Sequence, residues 1–320
     1  MLSRRGFLSR MAAAALAPSL RPTISPENPR LITPVLFELP ERACDCHVHV
    51  FGDPSQFPFA ASRTYTPESA SVADLLAVHR ALHISRVVIV QPSVYGTDNS
   101  CILDAMKQYG PGARGIAVLP PAISPTTLDS MERAGIRGMR INLGTAGDTN
   151  LDNARHRLKS AIHQIRDRKW HVQVYAALSV IAGLSDIILA SPVPVVFDHF
   201  GGAQGAAGLQ QPGFDKLLHL VESGKAFVKL SGAYRASTSA PDYPDAAPLA
   251  RALITANPHR ILWGSDWPHP DTHSGREPNH VSPLLRIDDG HLLNLLATWV
   301  PDAVLRNTIL VDNPATLYAF

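Results

Sequence analysis

The chain has few cysteines, little excess charge and no sign of a membrane-spanning segment near its N-terminus. Only three of its 320 residues are cysteine (Cys44, Cys46 and Cys101), and an odd number without a spacing pattern argues against a disulfide framework. The formal net charge is +2, so nothing indicates a nucleic-acid partner. The apolar stretch at 11–20 is shorter than the roughly 20 residues that span a bilayer. A small-molecule partner and no membrane anchor are therefore expected.

Two common cofactor and catalytic motifs are also missing. No Gly-x-Ser-x-Gly turn surrounds Ser93 or any other serine, so the sequence does not predict a serine nucleophile. No glycine-rich loop follows the first predicted strand, which argues against a dinucleotide-binding sheet. What the chain does contain is a set of histidines, arginines and acids near the ends of its strands.

The N-terminal segment is typical of an export signal. Residues 3–8 (SRRGFL) form a twin-arginine pattern, and the short apolar stretch follows it. We predict a twin-arginine signal peptide over 1–22 and a periplasmic location for the protein after its removal. Residues 23–40 contain four prolines and are predicted to form an extended arm. Residues 41–320 then make up one folded domain.

Short β-branched runs alternate with helical periodicity throughout that domain. Buried, nearly continuous apolar strands of this kind are typical of parallel pairing with helices outside. Eight such units predict a single (β/α)₈ TIM barrel, with an open doubly wound sheet as the alternative. The predicted strands are 43–50, 85–91, 114–119, 137–143, 171–175, 193–198, 226–231 and 260–265. The predicted helices are 71–83, 99–109, 125–134, 151–168, 178–190, 213–223 and 244–257, with a helical region after 290 and a turn near 314–319.

Two histidines, one residue apart, end the first predicted strand. Alternate side chains of a strand point to the same face, so His47 and His49 are expected to share a face with Asp45. The cysteines and valines between them are expected on the opposite face. A histidine pair of this kind can bind one metal ion or one anionic ligand.

Polar side chains recur wherever a predicted strand ends. In a TIM barrel the carboxyl ends of all eight strands meet at one face, and catalytic groups project there. We therefore expect these side chains to surround one pocket. They are His47 and His49, Ser93, Arg140, Tyr175, Asp198 and His199, Tyr234 and Arg235, and Asp266.

These stretches resemble the amidohydrolase superfamily, in particular its amidohydrolase-2 branch. The resemblance rests on the combination of the His-x-His pair, Asp198-His199 and the segment 264–269 (GSDWPH). It spans nearly all of 43–319 and is closest to the TIM-barrel hydrolases of the 2-pyrone-4,6-dicarboxylate lactonase group. The segment 137–142 (RGMRIN) supports it.

The resemblance implies a role for each site residue. Asp266 matches the general base that activates water, and His47, His49 and His199 match an inner polar shell around the reacting carbonyl. Arg140 matches a clamp for a substrate carboxylate, to which a planar guanidinium is suited. The other positions that match substrate contacts are Ser93, Tyr65, Tyr175 and Arg235.

The same residues allow two mechanisms. The resemblance implies that no cofactor is required and that the histidines polarise the carbonyl by hydrogen bonding. The number of available ligands also allows a single Zn²⁺ held by His47, His49, His199 and Asp266. A binuclear centre is disfavoured because it needs a lysine at a central strand end. The chain has Tyr175 there, and Lys229 lies in mid-strand.

One departure from the lactonase pattern affects the expected substrate. The family has a further basic pair after Arg140, whereas this chain has Gly-Thr-Ala-Gly-Asp at 144–148. We predict a hydrolase that opens a lactone or similar cyclic ester of a carboxylated or sugar-acid substrate by means of water activated by Asp266. The alternatives are a mononuclear Zn-dependent amidohydrolase or decarboxylase, a lactone isomerase, or a binding barrel without turnover. The oligomeric state stays open.

Overall fold

A computed structural model describes residues 32–272 and 277–320. The predicted signal peptide and the first part of the arm lie outside these residues, so export and periplasmic location stay predictions. The described part of the arm packs against the barrel domain. The Thr33 amide donates to the Asp288 carboxylate, and the Leu36 amide donates to Asn294 Oδ1 at 2.8 Å. Both acceptors belong to the last long helix region, so the end of the arm is held in place.

Eight parallel strands form one sheet, in the order β1-β3-β4-β5-β6-β7-β8-β9. The barrel strands are β1 (Cys44–Val48), β3 (Arg86–Val90), β4 (Ala113–Ala117), β5 (Ile136–Asn142), β6 (His171–Tyr175), β7 (Val195–Phe197), β8 (Ala226–Ser231) and β9 (Ile261–Gly264). β9 returns to β1 through a parallel bridge between Val48 and Trp267. The predicted TIM barrel is confirmed. Two further short strands, β2 (Thr66–Pro67) and β10 (Val281–Ser282), pair separately.

The helices follow the strands along the chain and cover the outside of the barrel. They are α1 (Val72–Leu82), α2 (Ser100–Tyr109), α3 (Pro125–Arg133), α4 (Leu151–Ile165), α5 (Leu178–Gly183), α6 (Ser185–Leu189), α7 (Phe214–Glu222), α8 (Ala233–Ala236), α9 (Ala246–Ala256), α10 (Asp289–Trp299), α11 (Ala303–Asn307) and α12 (Asn313–Tyr318). The predicted helix 178–190 is two helices, α5 and α6, which meet at Leu184.

Local sequence explains where several helices begin. Ser71 and Asp74 form a reciprocal capping box that satisfies two free amides at the start of α1. Ser124 caps α3, and Pro125 occupies its first turn, where no amide hydrogen is needed. These caps place each helix start immediately after the loop that leaves the barrel mouth.

The N-terminal end of the barrel is closed by the C-terminus of the chain. Tyr318 is fully buried against inward-facing apolar side chains from several strands, including Phe227 and Leu262. Arg114 Nε donates to the Tyr318 carbonyl at 3.2 Å, and the guanidinium groups of Arg86 and Arg114 lie over the Phe320 ring. Because this end is filled, the polar interior groups lie toward the opposite mouth.

One expectation about β1 is wrong. The pairing of β1 with β3 is irregular between Asp45 and Val48, where β1 has one residue more than its partner. Such a bulge breaks the two-residue alternation of side chains. Asp45 therefore faces α1, where its Oδ2 lies 3.4 Å from His79 Nε2, whereas His47 and His49 face the barrel interior. The two cysteines of β1 also lie inside the barrel.

Among the described residues, no helix combines the length and the apolar character needed to cross a bilayer.

Candidate active site

One cavity at the carboxyl ends of the strands contains the predicted site. Seven of the nine predicted residues line it, namely His49, Tyr65, Ser93, Arg140, Tyr175, His199 and Arg235. The other two, His47 and Asp266, are fully buried beside the imidazoles of the first group. The other lining residues, to which the sequence assigned no role, are Pro92, Asn142, Thr145, Pro270 and Thr272.

Three imidazoles converge on one carboxylate oxygen. Asp266 Oδ1 lies 3.6 Å from His47 Nε2, 3.7 Å from His49 Nε2 and 4.0 Å from His199 Nε2. Within the described part of the chain, neither His47 Nε2 nor Asp266 Oδ1 has a hydrogen-bond partner. Unpaired buried polar atoms are costly, so atoms grouped in this way are suited to a shared ligand.

The backbone at two of these residues has a conformation that few non-glycine residues adopt. His199 has φ 48° and Asp266 has φ 67°, both in the left-handed region. Residues of this kind cluster at functional sites because the surrounding structure must hold them there. Each lies two residues after the end of a strand, and the unusual turn directs His199 into the cavity and Asp266 toward the imidazoles.

The outer nitrogens of the imidazoles show where their protons are held. His49 Nδ1 lies 2.8 Å from the Val90 carbonyl, which can only accept, so the His49 proton is on Nδ1 and Nε2 has a lone pair. His47 Nδ1 lies 3.2 Å from Asp198 Oδ1. Burial lowers the pKa of His49 to about 3 and that of His199 to about 4, so both imidazoles are neutral at pH 7.

The second oxygen of Asp266 is fully engaged. Asp266 Oδ2 accepts from the Tyr234 hydroxyl at 2.6 Å and from Arg235 Nε at 2.5 Å. Burial would raise the pKa of Asp266, but the positive charge of the adjacent Arg235 guanidinium holds it well below its usual range. The carboxylate is thus ionised and locked, with Oδ1 directed at the histidines.

The contact with Asp266 Oδ2 gives Arg235 a role different from the predicted one, and it gives Tyr234 a role as a second donor. Arg235 was predicted to bind substrate, and although it lines the cavity, its Nε is occupied by the carboxylate. Tyr234 was expected near the mouth because it follows the end of β8, but the sequence assigned it no role in the chemistry.

Beneath the histidines lies a buried polar network, of which the sequence predicted only Asp198 and Arg140 to lie near the pocket. Asp198 Oδ1 lies 3.2 Å from His47 Nδ1 and 3.5 Å from Lys229 Nζ, while its Oδ2 accepts from Gln173 Nε2 at 3.1 Å. Lys229 Nζ also donates to Gln173 Oε1 at 2.7 Å. Arg140 Nη2 is 3.4 Å from Asp198 Oδ2. Asp198 therefore connects a histidine of the inner shell to the predicted substrate clamp.

One guanidinium nitrogen of Arg140 has no hydrogen-bond partner among the described residues. Arg140 Nη1 donates to the Gln91 carbonyl at 3.2 Å, whereas its buried Nε has no partner among the described residues. Tyr175 packs edge-on against His199, with ring centroids 5.0 Å apart. Burial raises the pKa of Tyr65 to about 12, and the hydrogen bond with Ser93 opposes that rise. The residues that line the cavity thus include an arginine with one unpaired nitrogen and several side chains with hydroxyl groups.

Comparison with known proteins gives the family. The family described as Amidohydrolase matches residues 44–320. The chain belongs to the amidohydrolase family. It is 38% identical over 290 residues to a 4-sulfomuconolactone hydrolase of Rhizobium radiobacter, covering 89% of this chain and 92% of the relative. It is 36% identical over 293 residues to a 2-pyrone-4,6-dicarboxylate hydrolase of Comamonas testosteroni, covering 88% and 92%.

The fold of a solved structure supports the assignment of this chain to the amidohydrolase family. A probable 2-pyrone-4,6-dicarboxylic acid hydrolase from Acinetobacter baumannii, with citric acid bound, superposes with a TM-score of 0.73 at 27% identity. The match covers 87% of this chain and 100% of that one. The predictions of an amidohydrolase, of a hydrolase as the class of enzyme and of the barrel fold are confirmed.

Proposed function

We propose that this amidohydrolase hydrolyses small anionic lactones. The supporting observation is the convergence of His47, His49 and His199 on Asp266 Oδ1, next to a cavity with an unpaired Arg140 nitrogen. The relatives in Rhizobium radiobacter and Comamonas testosteroni are named as hydrolases of a sulfonated lactone and of a pyrone dicarboxylate, both of them anionic cyclic esters.

The donor set fits one divalent metal ion. Atoms of His47, His49 and Asp266 lie within 4.8 Å of one another, and His49 donates its other ring nitrogen to a carbonyl, as histidines that bind metals usually do. We propose that His47, His49, His199 and Asp266 hold a single Zn²⁺. Such an ion would supply a water of lowered pKa and a Lewis acid for the carbonyl oxygen.

The chain's own groups account for the proton transfers. Asp266 Oδ1 takes a proton from water while the oxygen of that water bonds to the lactone carbonyl carbon. The ring C–O bond then breaks, and the departing alkoxide recovers the proton from Asp266. Tyr234 and Arg235 hold Oδ2 throughout, so the proton can reside only on the oxygen that faces the substrate.

The charges of the site favour an anionic substrate. Arg140, Arg235 and Lys229 carry three positive charges against the two carboxylates Asp198 and Asp266, all in a buried setting. A substrate carboxylate at Arg140 would reduce this excess of positive charge, and a bound Zn²⁺ would increase the excess that it offsets. The segment 144–148 has no cation to hold a second carboxylate, so a monocarboxylated lactone is the proposed class.

A panel of lactones tests the proposed function. We expect carboxylated lactones to be hydrolysed with kcat/KM ~10–100-fold above uncharged lactones of equal ring size, as one charge-assisted contact predicts. Arg140→Met should remove this preference, whereas Arg137→Met, on the outer face of β5, should leave it unchanged. Acid release followed with a pH indicator measures the rates. If no lactone in the panel is opened, the proposal is wrong.

Removal of metal tests the proposed ligand set. We expect about one Zn²⁺ per chain by elemental analysis, a loss of turnover of ~100-fold or more after chelation, and recovery when zinc is added back. His49→Ala should lose the zinc, and His291→Gln, at a half-buried site away from the cavity, should retain it. Full turnover by zinc-free protein would support the metal-free mechanism instead.

A further inference from the structure

The barrel closes where β1 meets the segment that follows β9. The Asp266 amide donates to the His47 carbonyl at 2.9 Å, and the His49 amide donates to the Trp267 carbonyl at 2.8 Å. This seam therefore joins the two pieces of backbone that carry the base and the histidine pair. Its geometry sets the 3.6 Å separation between His47 Nε2 and Asp266 Oδ1.

A side chain completes this seam at the bulge of β1. Asp45 Oδ1 accepts from the His47 amide at 3.1 Å and from the Ser265 amide at 3.0 Å. Asp45 is fully buried, so neither amide has water as a substitute partner. One carboxylate oxygen thus ties the backbone beside the histidine pair to the residue that precedes Asp266.

The other oxygen of Asp45 is held from behind the barrel wall. Asp45 Oδ2 lies 3.4 Å from His79 Nε2 on α1, and His79 Nδ1 lies 2.8 Å from the Tyr109 hydroxyl at the end of α2. His79 is only 2% exposed. The chain of contacts Tyr109–His79–Asp45 therefore orients the carboxylate from the side opposite the cavity.

We propose that Asp45 is a positioning residue for the reaction, although it does not reach the cavity. It holds the His47 and Ser265 amides, and with them the left-handed turn at Asp266, in the arrangement that brings the base to the histidines. A misplacement of about 1 Å in such a constellation can cost about 100-fold in rate. The proposal rests on the proposed hydrolysis for its kinetic readout only.

Two substitutions at Asp45 separate positioning from bulk stability. Asparagine keeps an oxygen that can accept both amide hydrogens, whereas alanine removes it. We expect Asp45→Ala to lower kcat ~100-fold with KM changed less than about threefold, and Asp45→Asn to stay within about fivefold of wild type in kcat. Val78→Ala, a buried change on α1, is the control that destabilises the same layer without altering kcat.

Amide hydrogen exchange measures the hydrogen bonds to Asp45 Oδ1 directly and needs no substrate. The His47 and Ser265 amides should lose protection in Asp45→Ala and keep it in Asp45→Asn. A folded Asp45→Ala with wild-type kcat and protected amides would overturn the proposal. If Asp45→Ala does not fold, His79→Leu serves in its place, because it removes only the contact between His79 and Asp45 Oδ2. We expect His79→Leu to lower kcat with KM unchanged. An unchanged kcat in this variant would overturn the proposal. If wild type opens no lactone, the proposed function fails while the exchange result still decides whether Asp45 positions this seam.

Discussion

Asp266→Asn is expected to lower kcat for lactone hydrolysis by ~10²–10⁴-fold, the usual contribution of a general base. Asparagine keeps the shape of the side chain and can still accept from Tyr234 and Arg235, but it cannot take a proton from water. Binding of a ring-opened product should change far less than turnover, because Arg140, the proposed clamp for the substrate carboxylate, is untouched. Steady-state kinetics and calorimetric titration of the product measure the two effects.

A graded variant and a metal measurement make this result specific. Tyr234→Phe removes one of the two donors to Asp266 Oδ2 and should reduce kcat by only ~10-fold, which corresponds to one hydrogen bond to a charged group. Zinc content must be measured in Asp266→Asn, since Asp266 is also a proposed ligand. A variant with wild-type zinc content and turnover within tenfold of wild type would contradict the role of Asp266 as base.

Lys229→Met is expected to destabilise the folded protein by ~3–5 kcal/mol. The ammonium is fully buried 3.5 Å from Asp198 Oδ1, and its loss leaves that carboxylate with less compensating charge in the barrel interior. The pKa of Asp198 lies well below its usual range because His47 and Lys229 outweigh the effect of burial. The free energy of unfolding from denaturant titration measures the effect.

Two further variants separate the effect of removing the buried Lys229 charge from the effect of replacing a long side chain. Lys225 is exposed and directly precedes β8, the strand that carries Lys229. We expect Lys225→Met to change the free energy of unfolding by less than about 0.5 kcal/mol. The double variant Lys229→Met with Asp198→Asn should be more stable than Lys229→Met alone, because it removes both buried charges. Equal stabilities of Lys229→Met and Lys225→Met would show that the buried pair contributes little.

Local patterns in the sequence predict the strands well. All eight predicted barrel strands overlap observed ones, since buried parallel strands are continuous in β-branched residues and end at polar ones. The short pair β2 and β10 was not predicted, because two-residue strands have no periodicity to detect. The division of 178–190 into α5 and α6 was missed for a similar reason, as a brief interruption leaves the helical pattern nearly intact.

The site was partly predictable because of the symmetry of the barrel. Side chains that end parallel strands must meet at one mouth, so residues as distant in the chain as His47 and Asp266 could be grouped without knowing any distance. Lys229 was not grouped with them, since nothing in a strand sequence shows which mid-strand polar residue extends toward the mouth. Its contact with Asp198 depends on the stagger between β7 and β8.

Taken alone, the order of residues determined the barrel, its eight strands and the set of polar groups at its mouth, because these follow from periodicity and from the way parallel strands pair. Only the tertiary structure decided which way Asp45 faces, that Arg235 binds Asp266, and which nitrogen of His49 carries the proton. Each of these depends on a bulge or a contact between segments far apart in the chain. A one-residue change of register reverses the face of a side chain, and no local pattern records it.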